Sequence, residues 1–259
     1  MTSLNKNEIN LLIDLAKEAG KIAMSHFGSK NLQINRKSDD SPVTNADIEI
    51  SKFIERNLKK NFPEIDIICE EGQNRKISNN KFWLIDPIDG TKSFARTDPE
   101  FTVNIGLVEG NKPIFGIIFA PALPEAPLYY NNENGKTVRL LTGTNHHEIL
   151  TKKPRNDEQF IIISGSEHNS AELISYIKNN LKSEQNLKID KVSSSLKFCY
   201  IIENKADLYL HFRRSMEWDT AAGQALILGC GGVVMDIDYK KELEYRKENF
   251  INHSFLAKI

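Results

Sequence analysis

The chain is short of cysteine, of charge bias and of long apolar runs, and each shortage removes a class of protein. Only three cysteines occur in 259 residues, Cys69, Cys199 and Cys230. Their number is odd and none stands in a C-x-x-C pair. That argues against a disulfide framework or a thiolate zinc site and fits a reducing compartment. The 34 basic and 35 acidic residues leave a formal net charge of −1. A near-neutral chain gives no reason to expect a nucleic-acid polymer or a charged membrane surface as partner, so an anionic ligand has to be held by local charge. No apolar run approaches the ~20 residues that span a bilayer. The opening MTSLNKNEIN is polar and lacks the apolar core of a signal segment. A cytoplasmic protein without a transmembrane segment is the expectation.

Hydrophobic residues make up 40% of the chain, enough for one large domain or two that share a core. Leu12, Leu15, Ala16, Ala19, Ile22 and Ala23 recur at the helical period, and Gly28 is placed to end that helix. Residues 31–42 read as a loop or irregular strand. A second helix starts near Thr44, with Ile50, Phe53, Ile54 and Leu58 as its apolar stripe. Strand-like runs follow at 65–69 and 82–85. Runs at 101–108 and 113–119 flank a hairpin signal at Gly110, and runs at 128–130 and 138–141 flank another at Asn134-Gly135. The polar stretch 142–158 suggests a soft boundary, with an N-terminal half at 1–155 and a C-terminal half at 156–259. The second half alternates: strands at 160–163, 187–192, 208–212 and 233–237, helices at 171–181, 196–203 and 218–228. The expected class is α+β with mixed sheets, helices layered on sheets.

The chemistry points to carboxylates. Glu70 and Asp86 each follow a strand-like run, and Asp86-Pro87-Ile88-Asp89-Gly90-Thr91 holds two acids in a turn stiffened by proline and eased by glycine. Glu70, Asp86, Asp89 and Asp219 with the Ile88 carbonyl would suit two magnesium ions, which prefer oxygen ligands. Ions ~3.5–4 Å apart clamp the attacking and leaving oxygens of an in-line displacement. Each residue also has an ordinary reading: Asp86 and Asp89 as turn residues, Asp219 as an N-cap, Glu70-Glu71 as a solvated acidic pair. Thr44-Asn45-Ala46-Asp47 reads as a capping box, and the Asp47 carboxylate could in addition orient the Thr91 hydroxyl.

Four motifs, in this order, carry a resemblance: Thr44 to Asp47, Glu70-Glu71, Trp83 to Thr91, and Trp218-Asp219-Thr220-Ala221-Ala222-Gly223. Together they resemble the inositol-monophosphatase superfamily over nearly the whole chain. Gly90 to Phe94, Glu100 to Ile105 and Ser193 to Cys199 are similar to its branch of CysQ-type 3'(2'),5'-bisphosphate nucleotidases. The resemblance implies a layered α/β/α/β/α sandwich and hydrolysis of the 3'-phosphate of adenosine 3',5'-bisphosphate to AMP and phosphate by a metal-activated water. A role in sulfur assimilation and lithium sensitivity are implied with it. Glu70, Asp86 and the Ile88 carbonyl would hold one magnesium, and Asp86, Asp89 and Asp219 a second, with a weaker third near Glu70. Thr91, oriented by Asp47, would position the water, and the Gly90 and Thr91 amides would face the phosphate. Ser195 and Lys197 match positions near the nucleotide, and His168 one near the base. Alone, Ser195 reads as a helix cap, Lys197 as a solvated charge and His168 as a structural histidine. His211 stands where such nucleotidases often carry arginine, with Arg213 and Arg214 just after it as replacements for that charge. An inositol monophosphatase is the alternative enzyme, and an idle metal or nucleotide binder the non-enzymatic one. Association with an inner membrane would rest on the resemblance alone, and the sequence does not set the oligomeric state.

Overall fold

The computed structural model describes residues 4–37, 40–153, 159–165, 170–181 and 186–259. The His168 expectation and the boundary at 155/156 lie outside them. Among the described residues the α-helices are α1 (Lys6–His26), α2 (Asn45–Asn61), α3 (Thr91–Ala95), α4 (Ala171–Asn180), α5 (Leu196–Ile202) and α6 (Glu217–Gly229).

A seven-stranded sheet runs in chain order through strands 66–69, 81–89, 102–109, 112–119, 127–131, 137–141 and 146–149. Its first pair is parallel and the rest form an antiparallel meander. Both faces are covered, which is why its central strands read as continuous apolar runs. Trp83, Ile85, Val103, Ile105, Leu107, Phe115, Ile117 and Phe119 pack with α1 and α2. Phe82, Leu84 and Val108 turn the other way, toward Trp218 and Ala221 of α6. A six-stranded sheet has the order 187–191, 160–164, 208–211, 255–258, 233–236, 241–242. Helices α5 and α6 pack on one of its faces, while Leu173, Tyr176 and Ile177 of α4 pack with Ile162, Leu208 and Leu210. The result is five layers, helix, sheet, helix, sheet, helix, as expected.

The Ala221-Ala222-Gly223 run is a packing device. Gly106 and Gly116 are cross-strand partners, and α6 lies directly on them. A Cβ on Gly116 would stand 2.3 Å from the Ala222 carbonyl oxygen, and one on Gly223 2.2 Å from the Phe198 ring. Small residues on both surfaces let α6 approach the sheet closely.

Several local expectations are corrected. Residues 34–36 and 42–44 form a short hairpin. Strand 81–89 continues through Pro87 rather than stopping before it. Strands 146–149 and 255–258 lie where the sequence offers no period-2 run. Asp219 is not the N-cap of α6: that is Met216, and Asp219 is the third helical residue.

Candidate functional site

Strand 81–89 carries two of the carboxylates. Residues 86 and 89 are an odd number apart, so a regular strand would send them to opposite faces. The pairing passes from Asp86 opposite Asn104 to Asp89 opposite Thr102, one residue more on this strand than on its neighbour. That bulge falls at Pro87-Ile88, where proline leaves no amide unpaired. It resets the alternation and brings the two carboxylates together. Gly90 then leaves the strand at φ 90°, and a Cβ there would meet the Glu100 carbonyl oxygen at 2.9 Å, so only glycine suits this exit into α3.

Glu70 follows the parallel strand 66–69, its amide donating to the Ile85 carbonyl at 3.0 Å. Asp219 comes from the first turn of α6, where its Oδ2 accepts the Met216 amide at 2.7 Å. Burial pushes the Asp86 carboxyl well above the usual carboxylate range, and the charges of Glu70, Asp89 and Asp219 push it further. Asp219 moves the same way, through burial and then Asp89 and Glu70. Four acids from three segments thus share one field.

These acids are not yet a finished cage: among the described residues, no three carboxylate, imidazole or thiol side chains stand as a formed metal site. Some of them already have other partners. The Lys37 ammonium bridges Glu70 and Glu71 at 2.6 and 2.5 Å, which corrects their reading as a solvated pair. Ser195 Oγ donates to Asp89 Oδ2 at 2.6 Å, and Asn104 Nδ2 donates to Ser195 Oγ at 2.8 Å. Divalent cations fit the set on two observations. Every donor is a hard oxygen, and Asp86 Oδ1, in a residue 2% exposed, has no hydrogen-bond partner. Glu70, Asp86, Asp89, Asp219 and the Ile88 carbonyl are the residues that would hold them.

Asp47 closes the capping box read from its sequence, and its carboxylate also lies near Thr91. Its Oδ2 accepts the Thr44 amide at 2.8 Å and the Thr44 hydroxyl at 2.5 Å, closing the capping box. Its Oδ1 lies 3.4 Å from the Thr91 hydroxyl, which also lies 3.0 Å from the Ile88 carbonyl. One proton cannot serve both acceptors, so Asp47 and the Ile88 carbonyl compete for Thr91. Burial raises the Asp47 carboxyl to about 6 against the bonds from Thr44.

Above the acids opens a cavity of about 500 Å³. Glu70, Asp89 and Asp219 line it together with Lys92, Arg96, Lys191, Lys197, Arg213 and Arg214. Lys197 is buried, not solvated. Its ammonium donates to the Ser194 carbonyl at 2.6 Å, and burial lowers its affinity for the proton. Ser195 occupies the N-cap position of α5 without capping it; its hydroxyl instead serves Asp89. His211 lines the cavity, but burial and the Lys197 charge lower its imidazole to about 4. It is neutral at pH 7 and does not replace an arginine's charge.

Asn104 and Lys37 carry no role in the sequence reading. Asn104 had a signal, a lone amide inside the buried apolar run 101–108. Lys37 had none, since nothing in a polar loop distinguishes it.

The whole chain has relatives. Residues 5–258 match the model of the inositol monophosphatase family. The chain is 38% identical to the 3'(2'),5'-bisphosphate nucleotidase CysQ of Salmonella typhimurium, over 95% of this chain and 97% of that one. It is 35% identical to the protein of that name from Escherichia coli, over 97% and 99%. Among solved structures, CysQ of Bacteroides thetaiotaomicron superposes with a TM-score of 0.81 at 30% identity, covering 96% of each chain. An IMPase of Thermotoga maritima gives 0.76 at 25% identity, covering 97% and 92%. Motifs, layers and full-length likeness agree, and the chain belongs to the inositol monophosphatase family.

Proposed function

We propose that this chain is a divalent-metal-dependent phosphatase that removes the 3'-phosphate of adenosine 3',5'-bisphosphate, giving AMP and phosphate. The observation that carries the chemistry is the two-signed cavity, whose lining holds both carboxylates for cations and lysines and arginines for an anion. The nucleotide substrate is supported by the full-length likeness to proteins named as bisphosphate nucleotidases. Two magnesium ions are proposed, with a weaker third near Glu70. When bound, they supply Lewis-acid stabilisation of charge on the transferred phosphoryl group and the leaving oxygen. With the Ile88 carbonyl turned to a cation, the Thr91 hydroxyl donates to Asp47 and its oxygen is left to orient the attacking water. The Gly90 and Thr91 amides lie at the turn where phosphate oxygens are received. Lys197, Arg213 and Arg214 offer positive charge to the second phosphate, and neutral His211 offers shape. A cytoplasmic role in sulfur assimilation and inhibition by lithium belong to the same reading.

A phosphate-release panel tests it, with adenosine 3',5'-bisphosphate, its sulfated analogue and inositol 1-phosphate, each with and without magnesium. Preference for the inositol ester would overturn the substrate, and turnover in excess chelator would overturn the metal centre.

Two further results are expected. Arg214→Ala raises KM for the bisphosphate about tenfold, the loss of ~1.4 kcal/mol from one charge-assisted contact. It leaves KM for inositol 1-phosphate unchanged, because that substrate lacks the second phosphate. An equal rise for both would move Arg214 out of nucleotide recognition. Ionised Asp47 is the stronger acceptor for the Thr91 hydroxyl, and its protonation weakens that bond. The rate should therefore fall as pH drops through about 6, or somewhat lower once cations neutralise the Glu70 charge that raises Asp47. Asp47→Asn should lose this acid limb, and a profile that keeps it would assign the limb to another group.

A further inference from the structure

The acids of the proposed centre come from distant parts of the chain, and one side chain outside the cluster touches two of those parts. Arg75 Nη1 donates to the Cys69 carbonyl at 2.5 Å, and Nη2 donates to the Glu70 carbonyl at 2.8 Å. Its Cζ lies 4.7 Å from the centroid of the Trp218 ring. Trp218 immediately precedes Asp219 and is only 6% exposed. The guanidinium edge therefore grips the segment that bears Glu70, and its face rests on the helical turn that bears Asp219.

The backbone needs this grip. Strand 66–69 makes its last ladder contact through the Glu70 amide, and the chain then turns, with the Gly72 amide returning to the Cys69 carbonyl at 3.0 Å. Arg75 supplies the Glu70 carbonyl with a donor beyond the end of the strand. Arg75 lines a second cavity of about 360 Å³, which reaches Lys37, Glu70, Trp218 and Phe250.

We infer that Arg75 is a positioning residue, one that sets the separation of Glu70 from Asp219 and through it the affinity for divalent cations. The inference rests on the metal reading above. It turns on shape as well as charge. Lysine keeps the charge but has neither the planar fork for two carbonyls nor the flat face for an indole.

The experiment is a calorimetric titration of the full chain with magnesium, for wild type, Arg75→Lys and Arg75→Met, paired with melting curves in chelator. Both variants are expected to bind magnesium about 10–100-fold more weakly, while their melting temperatures in chelator stay at the wild-type value. A third variant, Arg75→Ala, leaves room for the lost group, and millimolar guanidinium chloride should restore part of its affinity. Wild-type affinity in Arg75→Met would overturn the inference, and wild-type affinity in Arg75→Lys would reduce Arg75 to a nearby charge. Affinity lost only in step with melting temperature would make it a plain structural residue. Each of these leaves the metal centre standing, whereas a wild-type chain that binds no magnesium removes the centre itself and this inference with it.

Discussion

Asp86→Asn should abolish turnover and, without metal, make the protein more stable. Asp86 is the most enclosed of the acids, and it is proposed to serve both cations. Removing a preorganised charge at the reacting centre costs about 10²–10³ in rate, and a ligand shared by two ions should cost at least that. The stability gain follows from the raised carboxyls. Asp86 and Asp219 hold their protons in the folded chain well above the ordinary value of 3.8. Their contribution to stability is complete below that value and is lost as pH rises through the raised one, because the folded state must then carry repelling buried charges. The metal-free wild type should therefore melt at lower temperature as pH rises above 3.8 and through the raised carboxyl range, and magnesium should reverse the loss. Asp86→Asn removes one of the repelling charges and should flatten the profile. Melting curves in chelator across this pH range, with phosphate-release assays in magnesium, check both halves. A variant that keeps a tenth of the activity would refute the shared-ligand role. One that melts below wild type at neutral pH would refute the repulsion.

Gly116→Ala should destabilise the fold and weaken the metal site together. The added Cβ would lie 2.3 Å from the Ala222 carbonyl oxygen and 2.7 Å from its Cα. Both are backbone atoms of α6, so no side chain can swing aside. Overpacking of this kind costs about 1–3 kcal/mol, and each kcal/mol lowers the melting temperature of a chain this size by roughly 2–4 °C. To relieve the clash α6 must lift from the seven-stranded sheet, and Asp219 sits in its first turn. Weaker magnesium binding should accompany the lower melting temperature. Gly143→Ala is the control, since its nearest neighbour would be 3.7 Å away and its stability should not change. Unaltered melting in Gly116→Ala would show that the helix rides less closely on the sheet than these distances require.

What the sequence revealed tracks the physics of periodicity. The helices with apolar stripes and the strands with long buried runs were legible because burial on a regular element leaves a period. The capping box at Thr44 and Asp47 was legible because its two bonds depend on a fixed spacing. Strand 255–258 was not, because four residues between unlike neighbours carry too few alternations to register. The bulge at Pro87-Ile88 escaped for a different reason. Read as a turn, the segment explains its proline and glycine equally well, and only the partner strand shows that one residue is extra. The acids were found as types at spacings, but their partners were not. Ser195 looks like a cap and Lys197 like a surface charge until tertiary packing buries them beside Asp89 and the cavity. Arg75 and Lys37 act on the Glu70 segment across turns that no local pattern encodes.

Strand 255–258 lies between strands 208–211 and 233–236 and pairs with both. All seven strands of the other sheet are synthesised by residue 149, so on a ribosome the first sheet can form while the second still lacks its middle. Closing the second sheet depends on residues 255–258, which emerge well after residue 149, and vectorial synthesis favours the earlier unit. Helix α6 lies directly on Gly106 and Gly116 of the first sheet, and its docking there carries Asp219 to Asp86 and Asp89. Residue 219 emerges long after residue 89, so these like charges meet only after the apolar strands of the first sheet, whose burial must outweigh their repulsion, can already have paired.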